Sequence, residues 1–141
     1  MPREAQELAA ACAKKMLAED GASNGLGMEL VSVEPGRAVM TMKVRDDMVN
    51  GHGICHGGFI FTFADSTFAF ACNTYNQLTV AASAEISFLS PVMAGEHLTA
   101  RGEEIYRKGR NGIYDILVTR ENGETVAAFR GKSRSLNNSI I

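Results

Sequence analysis

The sequence predicts an α+β fold in which one long apolar helix packs on an antiparallel sheet. Three observations lead there. The run "HGGFIFTFADSTFAFAC", starting at His56, is apolar nearly all the way round, as a buried helix is. From Thr79 to Leu136 the chain alternates apolar and polar residues in strand-length pieces separated by turn residues. The connections between those pieces are short, which favours antiparallel pairing.

The elements follow in order. Residues 3–19 read as a helix that Pro2 can open and Gly21 can stop, with Leu8, Cys12 and Met16 at helical spacing. "MELVSVE" and "RAVMTMKV" flank the turn dipeptide Pro35-Gly36 and should pair as a hairpin. "RDDMVNGHGICHGG" is too rich in glycine for a regular element. The apolar helix then runs from about Gly57 to about Tyr75. Three to four strands close the chain. "TVAASAEISFL" sets Ala82, Ala84, Ile86 and Phe88 against Ser83, Glu85 and Ser87. "EHLTARGEEIYRK" and "GIYDILVTRE" are joined by "GRN", and "TVAAFRGKSRSL" follows the Asn122-Gly123 turn. A sheet with its helix on one side keeps an open face and open edges, so self-association is expected.

Composition narrows the function. The 141 residues suit one domain, 1–141, and 45% apolar content supports a packed interior. A formal net charge of −2 and a pI near 5.9 give no global field for nucleic acid or an anionic membrane. The three cysteines, Cys12, Cys55 and Cys72, have no framework spacing, which fits a reducing, cytoplasmic setting. The start "MPREAQELAA" has no apolar signal core, and no uncharged apolar run is long enough to span a bilayer.

The segments "HGGFIFTFADSTFAFACN", "AASAEISFLSPVMAGEHLTARG", "GIYDI" and "VAAFRGKS" closely resemble the hotdog-fold acyl-CoA thioesterases, within them the phenylacetic-acid-degradation branch. The resemblance covers about residues 25–135. Its signature is His-Gly-Gly, five residues, then Ala-Asp inside a buried helix. It implies a curved antiparallel sheet wrapped round the helix and a dimer whose subunits join their sheets edge to edge.

Asp65 is the focus. From the residues alone it is a structural acid, bonded to backbone or to Ser66 or Thr67, an acid on a narrow solvent-facing strip, or a carboxylate facing a cleft. Burial disfavours the charged form and makes such a group a better base near neutral pH. The resemblance points to the catalytic role. At the helix start, His56-Gly57-Gly58, the first backbone N–H groups lack intrahelical acceptors and the macrodipole is positive. Two glycines there either permit a tight turn or let a substrate approach the backbone. The resemblance makes the Gly57 N–H the donor to the thioester oxygen. It also places Asn50 and Ser83 near the reacting group, where the residues alone equally suit a turn and a solvent-facing strand position. His56 either bonds near the thioester or braces the loop.

Gly57 and Asp65 are eight residues apart, about 12 Å along a helix axis. That gap is too long for both to act on one carbonyl from one chain. Two antiparallel copies of the helix, related by a two-fold axis, bring Gly57 of one beside Asp65 of the other, twice. The resemblance implies the same sharing of sites.

Coenzyme A carries several phosphate charges. Arg107, Lys108, Arg110, Arg130, Lys132 and Arg134 crowd the C-terminal strands, the last three alternating along one face. They form either a phosphate-binding row or a solvated face paired with Glu103, Glu104 and Asp115. Phe59, Phe63 and Phe68 are candidates for an acyl pocket or for plain core. His52, Cys55 and His56 lack the further ligands of a zinc site, and no cofactor is expected. The expectation is therefore a cytoplasmic thioester hydrolase acting on phenylacetyl-CoA or a related acyl-CoA, as a homodimer with shared sites and further as a tetramer. A medium- or long-chain fatty acyl-CoA thioesterase and a non-catalytic acyl-CoA-binding protein are the alternatives.

Overall fold

The structure, a computed structural model, describes residues 2–141. Helix α1 (Pro2–Glu19) and a one-turn helix α2 (Gly21–Gly25) precede a hairpin of β1 (Glu29–Glu34) and β2 (Arg37–Lys43). A 3-10 turn (Asp46–Met48) and an irregular loop lead into α3 (Gly57–Cys72). Strands β3 (Thr79–Phe88), β4 (His97–Lys108), β5 (Asn111–Thr119) and β6 (Thr125–Ser135) follow.

The first helix ends at Glu19, the expected bound, but Gly21 is not what stops it. Asp20 caps a new helix instead, its Oδ1 accepting from the Ser23 N–H at 2.9 Å, and Gly21 opens that turn. The buried side of α1 is Ala9, Cys12 and Ala13, with Leu8 and Met16 half-buried. The Pro35-Gly36 hairpin forms as expected, with Gly36 at φ 74°.

The long helix ends at Cys72, three residues short of the expected Tyr75. Side chains terminate it. Asn73 Nδ2 donates to the carbonyls of Ala69 and Thr79, and Thr74 Oγ1 donates to that of Ala71, so the last turn is satisfied without further helix.

The six strands form one antiparallel sheet in the order β1-β2-β4-β5-β6-β3. The chain thus leaves β2, forms α3 across one face, and returns at the far edge. The buried members of β4, β5 and β6, including Leu98, Ala100, Tyr114, Ile116 and Phe129, enclose the helix residues Ile60, Phe63, Phe68 and Phe70. The approach is close: a Cβ on Gly131 of β6 would lie 2.6 Å from the Phe68 ring, so only glycine lets the strand pass.

The two sheet edges differ. At β1, Gln6 of α1 donates to the Val33 carbonyl at 2.8 Å and covers the border. At β3, all residues from Val80 to Phe88 are exposed except the half-buried Ile86. This border has no cover among the described residues. No helix among them is long and apolar enough to cross a membrane.

Candidate active site

The site is built at the start of α3. Asn50 organises the loop before it: its Oδ1 accepts from the N–H groups of His52 and Ile54, at 2.9 and 3.2 Å. Its side-chain NH₂ is not used in these bonds and remains a donor. The loop is tied to the segment after β3 by Cys55 N–H to Val92 O at 2.7 Å and a bridge between Ile54 and Met93.

His56 caps the helix. Its Nδ1 accepts from the Gly58 N–H at 3.2 Å, which puts the proton of a neutral ring on Nε2. Histidine thus replaces the usual Ser, Thr, Asp or Asn at this position. The cap leaves the Gly57 N–H in a distinct state. Gly58 donates to His56 Nδ1 and Phe59 to the His56 carbonyl, but Gly57 has no acceptor among the described residues. A free donor therefore stands at the positive end of the helix. Over it lies Phe88: a Cβ on Gly57 would meet Phe88 Cζ at 2.9 Å.

Asp65 lies two turns further along, half-buried, on the helix strip that also carries Thr62, Ser66 and Ala69. It has no hydrogen-bond or ion-pair partner among the described residues. Neither Ser66 nor Thr67 holds it, since Ser66 bonds Ser23 and Thr67 donates to the Phe63 carbonyl. Burial pushes its carboxyl above the usual carboxylate range. A carboxylate without partners and with raised basicity is suited to accept a proton.

The remaining predicted residues divide. The register pairs Ser83 with Lys132 beside a β-bulge, where β3 is exposed, and no hydrogen bond joins it to Asp65 within the chain. The row Arg130, Lys132 and Arg134 lies on the sheet face away from α3, since Gly131 and Ser133 between them are buried. Arg130 is held by Asp115 through contacts of 2.6 and 2.8 Å. Arg134 donates to Asn111, Arg110 to Asn137, and Arg107 sits 3.7 Å over the Tyr75 ring. Lys108 and Lys132 have no such partner among the described residues. Phe63 and Phe68 are fully buried core, Phe68 packing on Tyr114 and Phe129; Phe59 is half-buried against the same cluster. Burial raises the Cys55 thiol to about 11, so it is protonated at neutral pH.

Helix, sheet and site together define a hotdog thioesterase, and the family profile of the thioesterase superfamily matches residues 52–127. The chain belongs to this superfamily and is a thioester hydrolase. It is similar to the acyl-coenzyme A thioesterase PaaI of Escherichia coli, at 41% identity over 128 residues, 91% of each chain. The solved structure of that protein superposes with a TM-score of 0.93, covering 95% of this chain and 97% of the other. Human acyl-coenzyme A thioesterase 13 is 35% identical over 72% of this chain and 74% of its own. A mutant form of the phenylacetic acid degradation protein PaaI from Thermus thermophilus gives a TM-score of 0.80 at 37% identity, covering 83% of this chain and 100% of the other.

Proposed function

We propose that the protein hydrolyses acyl-coenzyme A thioesters, arylacetyl-CoA foremost, at two sites shared across a two-fold dimer. The observation that carries this is the unpaired Gly57 N–H eight residues from an unpaired, half-buried Asp65 on one helix. Each group suits one half of thioester hydrolysis, and their separation of about 12 Å supports giving the halves to different chains. The bare β3 border supports the same assembly, because pairing it with its own copy sets two α3 helices side by side. The names of the similar proteins support the substrate class.

The thioester oxygen accepts from the Gly57 N–H, which strengthens as negative charge gathers there. Asp65 of the other chain acts in its ionised form. As a base it takes a proton from water as the water oxygen bonds to the carbonyl carbon. As a nucleophile it forms an anhydride that water then opens. Either way the C–S bond breaks, coenzyme A leaves as a thiolate, and the free acid remains. The Asn50 amide and the His56 Nε2–H are read as orienting donors at that corner; Ser83 shares the outward sheet face with Lys132 and is given no part in the chemistry. Single turnover in ¹⁸O-water labels the Asp65 carboxylate when water opens the anhydride at the Asp65 carbon, so label found there identifies the nucleophile route. Of the six basic residues only Arg130 is paired with a carboxylate among the described residues, so Arg107, Lys108, Arg110, Lys132 and Arg134 keep their charge for the nucleotide phosphates. Lys132→Ala should raise KM for acyl-CoA and leave KM for the phosphate-free pantetheine thioester unchanged.

Complementation tests the shared site. Asp65→Ala and Gly57→Val chains, each inactive alone, are mixed, unfolded and refolded together. Statistical pairing makes half the dimers mixed, each with one intact site, so activity should return to roughly a quarter of the parent level. Mixtures that stay inactive, although dimers form, overturn the sharing.

A further inference from the structure

Phe88 sits on the sheet face that meets α3, yet it is 53% exposed. Large apolar side chains on that face are otherwise core, as Phe129 and Ile116 are. Its backbone is fixed: it pairs with Ala127, and the next residue, Leu89, donates to the Val126 carbonyl at 2.8 Å. Its ring tip rests on Gly57, whose N–H has no acceptor among the described residues. Exposed Met93 lies next to this corner, its Cε 3.7 Å from where a Cβ on Gly53 would be. An exposed aromatic surface and an unpaired donor therefore share one corner.

We propose that Phe88 determines acyl-group specificity: its ring is the surface on which the acyl group packs when the thioester oxygen is held by Gly57 N–H, and it favours aryl over straight-chain groups. This rests on the reading of Gly57 as the oxygen's donor. The geometry is short-range. An oxygen about 2.9 Å from the Gly57 nitrogen puts the carbonyl carbon within about 4 Å of it. The first atoms of the acyl group then lie within van der Waals reach of the ring whose Cζ is 2.9 Å from the place of a Gly57 Cβ. An aryl group gains an offset or edge-to-face contact there that an alkyl chain does not, worth roughly a 3- to 10-fold preference. The residue is thus placed to read the acyl group without touching the reacting bond.

The test compares kcat/KM for phenylacetyl-CoA and hexanoyl-CoA in the parent, Phe88→Leu and Phe88→Tyr. Phe88→Leu should lower the aryl-to-alkyl ratio by roughly 3- to 10-fold, and Phe88→Tyr should keep it. A ring that merely props Gly57 would lower both substrates equally, and an unchanged ratio in Phe88→Leu overturns the proposal. Calorimetric binding of the two ketone analogues, with CH₂ in place of sulfur, reads the same ratio without turnover. Loss of hydrolysis in the parent with a Phe88-dependent binding ratio rejects the hydrolytic reading and keeps this one. Hydrolysis in the parent with a ratio indifferent to Phe88→Leu does the reverse.

Discussion

The tip of the Phe88 ring stands where a side chain of Gly57 would begin, its Cζ 2.9 Å from the place of a Cβ, so the first residue of α3 has no room for one. This contact couples the edge strand to the helix start. Gly57→Ala forces the ring aside, and because a ring tip can swing, the cost should be small, about 1 kcal/mol. Phe88→Ala should remove that cost. Urea denaturation of both single variants and the double variant measures the coupling; purely additive effects would mean that the two residues do not touch.

Asp65 predicts opposite effects on stability and turnover. Burial raises its carboxyl in the folded state, so the folded chain holds the proton more tightly than the unfolded one. Stability therefore falls as pH rises from the unfolded value of 3.8 through the raised folded value, and stays lowered above it. Asp65→Asn lacks this penalty. Its Tm should exceed the parent's at pH 7, with the gap closing below pH 3.8. The same variant should lose roughly 10²- to 10⁴-fold in kcat. In the parent, kcat should fall as acid protonates Asp65.

Ser23 joins the N-terminal turn to α3. Its buried hydroxyl lies 2.6 Å from Asp20 Oδ2 and 2.9 Å from Ser66 Oγ. A carboxylate only accepts, so Ser23 donates to Asp20 and accepts from Ser66. Ser23→Ala breaks both bonds in a buried place and should cost about 1–3 kcal/mol. Ser66→Ala leaves the bond to Asp20 and should cost less. Equal midpoints in chemical denaturation would contradict this order.

Arg120 clamps the segment that carries Met93. It donates to Glu96 at 2.9 Å, to Ser90 Oγ at 3.2 Å, and also to Glu124 and the Pro91 carbonyl. The hydrogen bond from Arg120 holds the Glu96 carboxyl below its ordinary 4.5. This contribution to stability is present above pH 4.5 and is lost as pH falls through the lowered folded value. Thermal melts of the parent and Glu96→Gln should therefore differ most near neutrality and converge in acid.

Much of this architecture was legible because periodicity reports burial. The alternation after Thr79 implied three to four strands, of which the fold has four, and the apolar run after His56 implied the helix. What stayed hidden depends on partners distant in the chain. Nothing in residues 73–78 says that β3 crosses to β6 rather than pairing with β4. The helix end at Cys72 is set by side chains of Asn73 and Thr74, which the apolar pattern around them obscured. Asp65 and the helix start were visible as an acid and a glycine pair. The cap by His56 was not, because histidine is a rare cap and its role shows only in the Nδ1 contact. Phe88 looked like one more inward residue of an alternating strand. Its exposure at Gly57 comes from where the sheet ends, a property of the assembled fold.

The open β3 border also bears on how the protein is made. A newly folded chain presents ten residues of strand whose outer hydrogen-bonding groups await a match. For the dimer proposed above, many wrong strands compete for that row at high concentration, and at low concentration the matching copy arrives late. Refolding yield should accordingly peak at an intermediate protein concentration, and a lysine placed on this border should suppress aggregates and native assembly together.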